Sequence, residues 1–239
     1  RSIRFLQQGQ SEKAIGFANE AYELATDHLG PGDPDYVIAF SILASCRFEE
    51  GGVASAAALL EAVEPLIEVA LKTQPVERHI VLNNLAICYG RLGREEESIG
   101  LMLRTIADKE RTYGDASTEL LGNLQDLTAT LDKAGRFAEA EKPIRQMLTI
   151  IGNKLGEDSR EYIQTLSNLA ACLGSAGKNR EREEVIVKIE RLAGSVDKPS
   201  KRKELEYAAR TTYDSGDFAS ARRVHRALLA QIPSSPFPS

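Results

Sequence analysis

Five glycines of this 239-residue chain stand at one interval: Gly9, Gly51, Gly93, Gly135 and Gly177 are each 42 residues apart, and Gly216 follows 39 residues later. A fixed period of this length is the signature of one small supersecondary unit, copied so that each copy packs on its neighbours. Other residues keep the same phase. Leu43, Leu85, Leu127 and Leu169 precede their glycine by eight, and Ala14, Ala56, Ala140 and Ala221 follow theirs by five. Small residues at fixed places let two helices approach closely, and the leucines fill the space between them.

Each unit reads as two helices. The first ends at the glycine, which takes φ > 0 without steric cost and so serves as a helix stop. The second begins just beyond and carries an apolar stripe, as in Ala140, Ile144, Met147, Leu148 and Ile151. Start signals agree with this division. Asp33 before Pro34 reads as an N-cap with proline at the first helical position. Asp158 with Glu161 has capping-box spacing, and Ser200 after Pro199 is placed to open the last pair.

The chain has 30 basic and 35 acidic residues, a formal net charge of −5. That balance disfavours general nucleic-acid binding, which needs a basic face. The region 178–226 differs locally, with 13 basic residues against 9 acidic, and reads as a solvated helix surface or a docking place for an acidic segment. Cys46, Cys88 and Cys172 each precede their turn glycine by five, where other units have Thr130 and Thr211. Sites one or two units apart are too distant for a disulfide. The spacing predicts a small packed slot, with reduced and slowly reacting thiols, and points to a reducing compartment such as the cytoplasm. His28, His79 and His225 fall in three distant units, and no metalloprotease, phosphate-loop or nucleophile-elbow pattern is present. The sequence therefore predicts no enzyme, no metal and no cofactor. No membrane-spanning run is visible in it.

The stretch Gly216-Asp217-Phe218-Ala219-Ser220-Ala221, with Ala227-Leu228 and Pro233 beyond it, resembles the tetratricopeptide repeat, a helix–turn–helix unit usually of about 34 residues. The longer period is similar to the kinesin light chain-type variant. So are the run Leu82-Asn83-Asn84-Leu85-Ala86 and the loop Leu29-Gly30-Pro31-Gly32-Asp33-Pro34-Asp35, which Tyr113-Gly114-Asp115 and Leu155-Gly156-Glu157-Asp158 repeat in phase. The resemblance covers residues 1–233 and implies an all-α, right-handed α-solenoid of about five and a half stacked helix–turn–helix repeats as one domain. Residues 234–239 read as a flexible tail. Arg1 lies eight residues before Gly9, so the sequence given is expected to open inside the first helix of an incomplete repeat.

The resemblance also implies where a partner sits, since the first helix of each pair lines a concave groove in that family. Carried onto this sequence, the third repeat contributes Asn83, Asn84 and Arg91, with Ile87. The fourth contributes Gln125, Asp126 and Lys133, with Asp132. The fifth contributes Gln164 and Asn168, with Ser167 and Ser175, and the sixth Tyr207 and Arg210, with Tyr213. The second repeat, with Ile38, Ile42 and Phe48, is more apolar. Asn84 and Asn168 share one repeat position. A carboxamide both donates and accepts, so it can satisfy the N–H and C=O groups of an extended peptide. It can equally bond to a neighbouring helix and fix the stacking, and both readings stand. The Lys-and-Asn set of the carboxylate-clamp pattern is missing and Asp126 and Asp132 intrude, so chaperone tails are not expected. The expected function is a non-enzymatic module that binds a peptide or protein segment. The alternatives are a sensor region of a longer protein with an effector domain, and an RNA-binding helical repeat, which the acidic balance disfavours.

Overall fold

The computed structural model describes residues 11–194, 210, 221–224 and 226, and every regular element among them is helical. In chain order these are α1 (Ser11–His28), α2 (Pro34–Glu49), α3 (Val53–Val63), α4 (Ile67–Ala70), α5 (Pro75–Arg91), α6 (Glu95–Tyr113), α7 (Leu121–Lys133), α8 (Phe137–Leu155), α9 (Arg160–Ser175) and α10 (Asn179–Gly194). Short 3₁₀ turns, Glu64–Leu66 and Thr118–Leu120, precede α4 and α7. The chain forms two compact units, Arg1–Asp115 and Ala116–Ser239. In the first, α1 packs on α2, α2 on α3, α3 on α5 and α5 on α6; in the second, α7 packs on α8, α8 on α9 and α9 on α10. The expected helix–turn–helix repeats are therefore present, without strands among the described residues. Gly9, Gly216, the opening of the first helix and the 234–239 tail lie outside the described residues.

The turns explain the period. Gly51, Gly93, Gly135 and Gly177 have φ of 83°, 76°, 70° and 73°, the left-handed region that L side chains avoid. At each, the next residue donates its N–H to the carbonyl five residues earlier: Gly52 to Arg47 (2.9 Å), Arg94 to Tyr89 (2.9 Å), Arg136 to Leu131 (2.8 Å) and Lys178 to Leu173 (2.8 Å). This bond closes the first helix over its own last carbonyls. The carbonyl of that same residue accepts the first bond of the next helix, as in Ser98 N–H to Arg94 (3.0 Å) and Arg182 N–H to Lys178 (3.0 Å). The chain thus reverses within two residues and the helices of a pair meet almost at once.

The meeting point is the residue five past the glycine. Ala14, Ala56, Ser98 and Ala140 are all wholly buried there. The Ser98 hydroxyl satisfies itself by donating to the Ala86 carbonyl at 2.7 Å. In the fifth repeat the slot holds Arg182, and its guanidinium lies against Gly174, 3.1 Å from where a Cβ would stand. The leucines eight before each glycine, Leu43, Leu85, Leu127 and Leu169, are buried as expected.

Two departures have local causes. Pro65 removes a backbone donor, and the second helix of the second repeat breaks into α3, a 3₁₀ turn and α4. The fifth repeat starts one residue later than the capping-box spacing predicts. Ser159, extended at φ −70° and ψ 155°, is the N-cap of α9, accepting from Tyr162 N–H at 3.3 Å, while Asp158 belongs to the preceding turn. The other start is as read: Asp33 caps α2, accepting from Asp35 N–H at 2.9 Å, with Pro34 at the first helical position.

One substitution type should change sign between two places. Gly93→Ala or Gly135→Ala forces a side chain into the left-handed turn and is expected to destabilise by about 1 kcal/mol. Gly100→Ala, on an exposed face of α6 with nothing within 4 Å of the new carbon, is expected to stabilise by about 0.5–1 kcal/mol. Urea midpoints for the three variants decide this; stabilisation at either turn would contradict the turn assignment.

Candidate functional site

In the first unit three of the expected groove residues, Phe48, Asn84 and Ile87, line a cleft; Ile38, Ile42, Asn83 and Arg91 do not. Ser45, Phe48 and Glu49 of α2 face Asn84 and Ile87 of α5 across an opening of about 190 Å³, with Leu60 of α3 and Cys88 of α5 also lining it. Asn84 is half-buried, and its Nδ2 donates to Ser45 Oγ at 3.3 Å. Ser45 in turn donates to the Ser41 carbonyl at 2.9 Å. This relay links one repeat to the next. It leaves the Asn84 carbonyl oxygen without a partner among the described residues, at the rim of an apolar hole. Asn83 is half-buried with a partner of its own, and Arg91 is exposed.

In the second unit the corresponding helices are α7 and α9, both packed on α8. Gln125, Lys133 and Asn168 are exposed, while Asp126 and Gln164 are half-buried. Asp126 stands 42 residues from both Asn84 and Asn168. Burial pushes its carboxyl above the usual carboxylate range, and no cation or hydrogen bond among the described residues offsets that. Ser167 is fully buried, its hydroxyl donating to the Ile163 carbonyl at 2.9 Å, and so faces the core. Arg210 is exposed, and Tyr207 lies outside the described residues.

Residues 81–119, from within α5 into the 3₁₀ turn that precedes α7, match the tetratricopeptide repeat family. Kinesin light chain TPR-like repeats from Podosopora anserina have the same fold, with a TM-score of 0.66 at 20% identity over 80% of this chain and 90% of that one. The fold is that of tetratricopeptide repeats. BtubC (BKLC) of P. vanneervenii is similar over 96% of this chain and 95% of its own, with a TM-score of 0.59 at 18% identity. NprR, solved in complex with its cognate peptide NprX, is similar over 98% of this chain and 65% of its own, with a TM-score of 0.51 at 12% identity. No curated protein matches the sequence. Among the described residues no helix is long and apolar enough to cross a membrane, and no three His, Cys, Asp or Glu side chains converge on a possible metal position.

One polar cluster of this tetratricopeptide fold was not legible in the sequence. His79 on α5 is buried, and its Nε2 lies 2.7 Å from Asp108 Oδ2 on α6. Arg78 reaches the same oxygen through Nε at 2.9 Å and through Nη2, and Arg111 Nη2 donates to Oδ1 at 2.8 Å. Burial would raise the Asp108 carboxyl, but bonds from Arg78 and His79 hold it below the usual range. For His79 burial wins over the adjacent carboxylate and lowers the imidazole below its ordinary value. A neutral ring bonded to a carboxylate must carry its proton on Nε2, which leaves Nδ1 a buried acceptor with no donor among the described residues. At the equivalent positions the other described repeats have apolar pairs, Val37 with Leu66, Leu121 with Ile150, and Ile163 with Leu192. The cluster is buried at His79 and open to solvent at Arg111, and it braces two helices.

The sign of its pH dependence follows. An unfolded His79 titrates near about 6.5 and the folded one lower, so the unfolded chain binds the extra proton between those values. Stability therefore falls as pH drops below roughly 6.5, and Asp108 adds a further loss once pH approaches the ordinary carboxylate range near about 4. His79→Leu should flatten the change in denaturant midpoint between about pH 7.5 and 5.5; equal slopes for both proteins would remove this assignment.

The three cysteines occupy the buried slot that the period predicted. Cys46 and Cys88 are 0% and 1% exposed and their thiols are pushed up by burial. Cys172 is pushed up to about 11 by burial together with Asp132 and Glu141, and its thiol donates to the Phe137 carbonyl at 3.1 Å. Thiol-reagent labelling of the native protein should run about a hundredfold or more slower than in denaturant, because it waits on local opening. Fast native labelling of Cys88 would mean that the slot is open.

Proposed function

We propose that this chain is a non-enzymatic interaction module that holds an extended peptide or protein segment against the exposed faces of the first helices of its repeats. The observation that carries this is the cleft between α2 and α5. It is apolar inside, sized for one side chain, and rimmed by an asparagine that keeps a free carbonyl oxygen. An apolar residue of a bound segment fills the hole while its backbone N–H donates to Asn84 Oδ1. The likeness to NprR with its peptide supports the reading to the extent that the same fold accommodates a peptide there. The negative balance of the chain makes nucleic acid a poor partner. Buried, unpaired thiols fit a reducing compartment such as the cytoplasm.

Selection of linear peptides from a random library on the intact chain, followed by titration, tests the proposal. Replacing Asn84 and Asn168 together by alanine should weaken the selected peptides by roughly ten- to thirtyfold, from the loss of about 1 kcal/mol at each position. Asn168→Ala alone should change stability by no more than about 0.5 kcal/mol, since the side chain is exposed. Asn84→Ala should destabilise by about 1 kcal/mol, because it also loses the bond to Ser45. Peptides that bind the double variant as tightly as the parent would place recognition elsewhere.

A further inference from the structure

We propose that the cleft between α2 and α5 fixes the direction of the bound segment. A basic residue of that segment lies against Glu49 on the α2 side, and an acidic one against Arg91 on the α5 side, of the apolar residue that fills the hole. The inference rests on the groove reading above and adds to it the charges of the partner and their order.

Glu49 and Arg91 hold one repeat position, 42 residues apart, and have opposite charge. Glu49 lines the cleft beside Phe48. Arg91 is four residues beyond Ile87 and seven beyond Asn84, so it stands on the face of α5 that those two present to the cleft. Both side chains are exposed, and neither has a hydrogen bond or ion pair among the described residues. The charges next to them in sequence are engaged elsewhere: Arg47 is paired with Glu50 at 3.3 Å, and Arg94 with Glu61 and Glu97. Glu49 also stands against its own helix. It is the last residue of α2, where the negative end of the helix dipole disfavours an acid. Arg91 and Lys133, the last residues of α5 and α7 at the same repeat position, carry the sign that the dipole favours. The cleft is thus an apolar hole between two unpaired charges of opposite sign. Packed helices lie about 8–10 Å apart, a distance that an extended segment crosses in about three residues. A segment with one apolar side chain in the hole therefore brings a neighbour to each rim. In one direction its two charges meet two attractions, and in the other two repulsions.

Peptides selected from a random linear library on the intact chain should carry a basic and an acidic residue about three positions apart, in one order, on either side of an apolar residue. Glu49→Gln and Arg91→Gln should each weaken them by about threefold. The double reversal Glu49→Lys with Arg91→Glu keeps the net charge and should weaken them by about tenfold or more. Peptides with the two charges exchanged should bind this variant more tightly than they bind the parent, an inversion that no effect of net charge produces. The stability of the free protein gives a second readout. In a double-mutant cycle of thermal unfolding the two Gln substitutions should be additive. Coupling between them would mean that Glu49 and Arg91 neutralise each other, and would overturn the proposal. Selected peptides with no fixed order of charge, or binding that survives the double reversal but not the Asn84/Asn168 double substitution, would overturn this inference and leave the groove reading intact. Binding that survives both would remove the groove reading and this inference with it.

Discussion

A hydrogen bond from the residue after each turn glycine to the carbonyl five residues earlier fixes where the second helix of a repeat begins. Because the reversal takes two residues, the next helix has no room to swing away, and its residue five past the glycine is driven into the first helix. Only a small side chain fits there without rearrangement, and Ala14, Ala56, Ser98 and Ala140 meet that condition at full burial. In the fifth repeat the condition is met from the other side, since Gly174 has no side chain where Arg182 lies. The placing of the leucines, the buried cysteines and the solvent-facing positions of the first helices all follow from that geometry, which is why they share its phase.

The faces that remain outside the packing differ in chemistry between the two units. In α2 and α5 the exposed or half-buried positions include the apolar Ile38, Ile42, Phe48, Ile80 and Ile87 beside polar ones, with Asn84 tied back to Ser45. In α7 and α9 they carry Gln125, Asp126, Asp132, Gln164 and Asn168. Asp108, inside a repeat, is paired with Arg78, His79 and Arg111. The Asn84 oxygen is not paired among the described residues, and it lies on the face where a ligand is proposed. An unpaired polar group at a partly buried position costs stability, so its partner is sensibly sought outside the chain.

What could be read from the sequence was what repeats. The glycines, the eight-before leucines, the five-after alanines and the cysteine slot were legible because each is one steric requirement met several times. Features present once were not. Among the described residues Pro65 breaks a helix in one repeat, and nothing in the period marks it. The cap of α9 fell on Ser159 instead of Asp158 because two good capping residues stand side by side and turn geometry chooses between them. The bond from Asn84 to Ser45 spans 39 residues, and that from His79 to Asp108 spans 29. In a pattern search such singular pairs look like exceptions to a core position. They are recognisable only when both members are seen to depart together.

The His79–Asp108 pair also bears on how an array of this kind can be rearranged. Repeats of equal length invite exchange, duplication and deletion, since any first helix can in principle meet any second helix. Here the third repeat would tolerate none of these in halves. Its first helix joined to the second helix of the fourth would set a buried imidazole and the Arg78 guanidinium where Ile150 stands. Its second helix joined to the first helix of the second would leave the Asp108 carboxylate facing Val37. The polar pair acts as a key that makes this repeat indivisible, so recombination within the array must carry it whole.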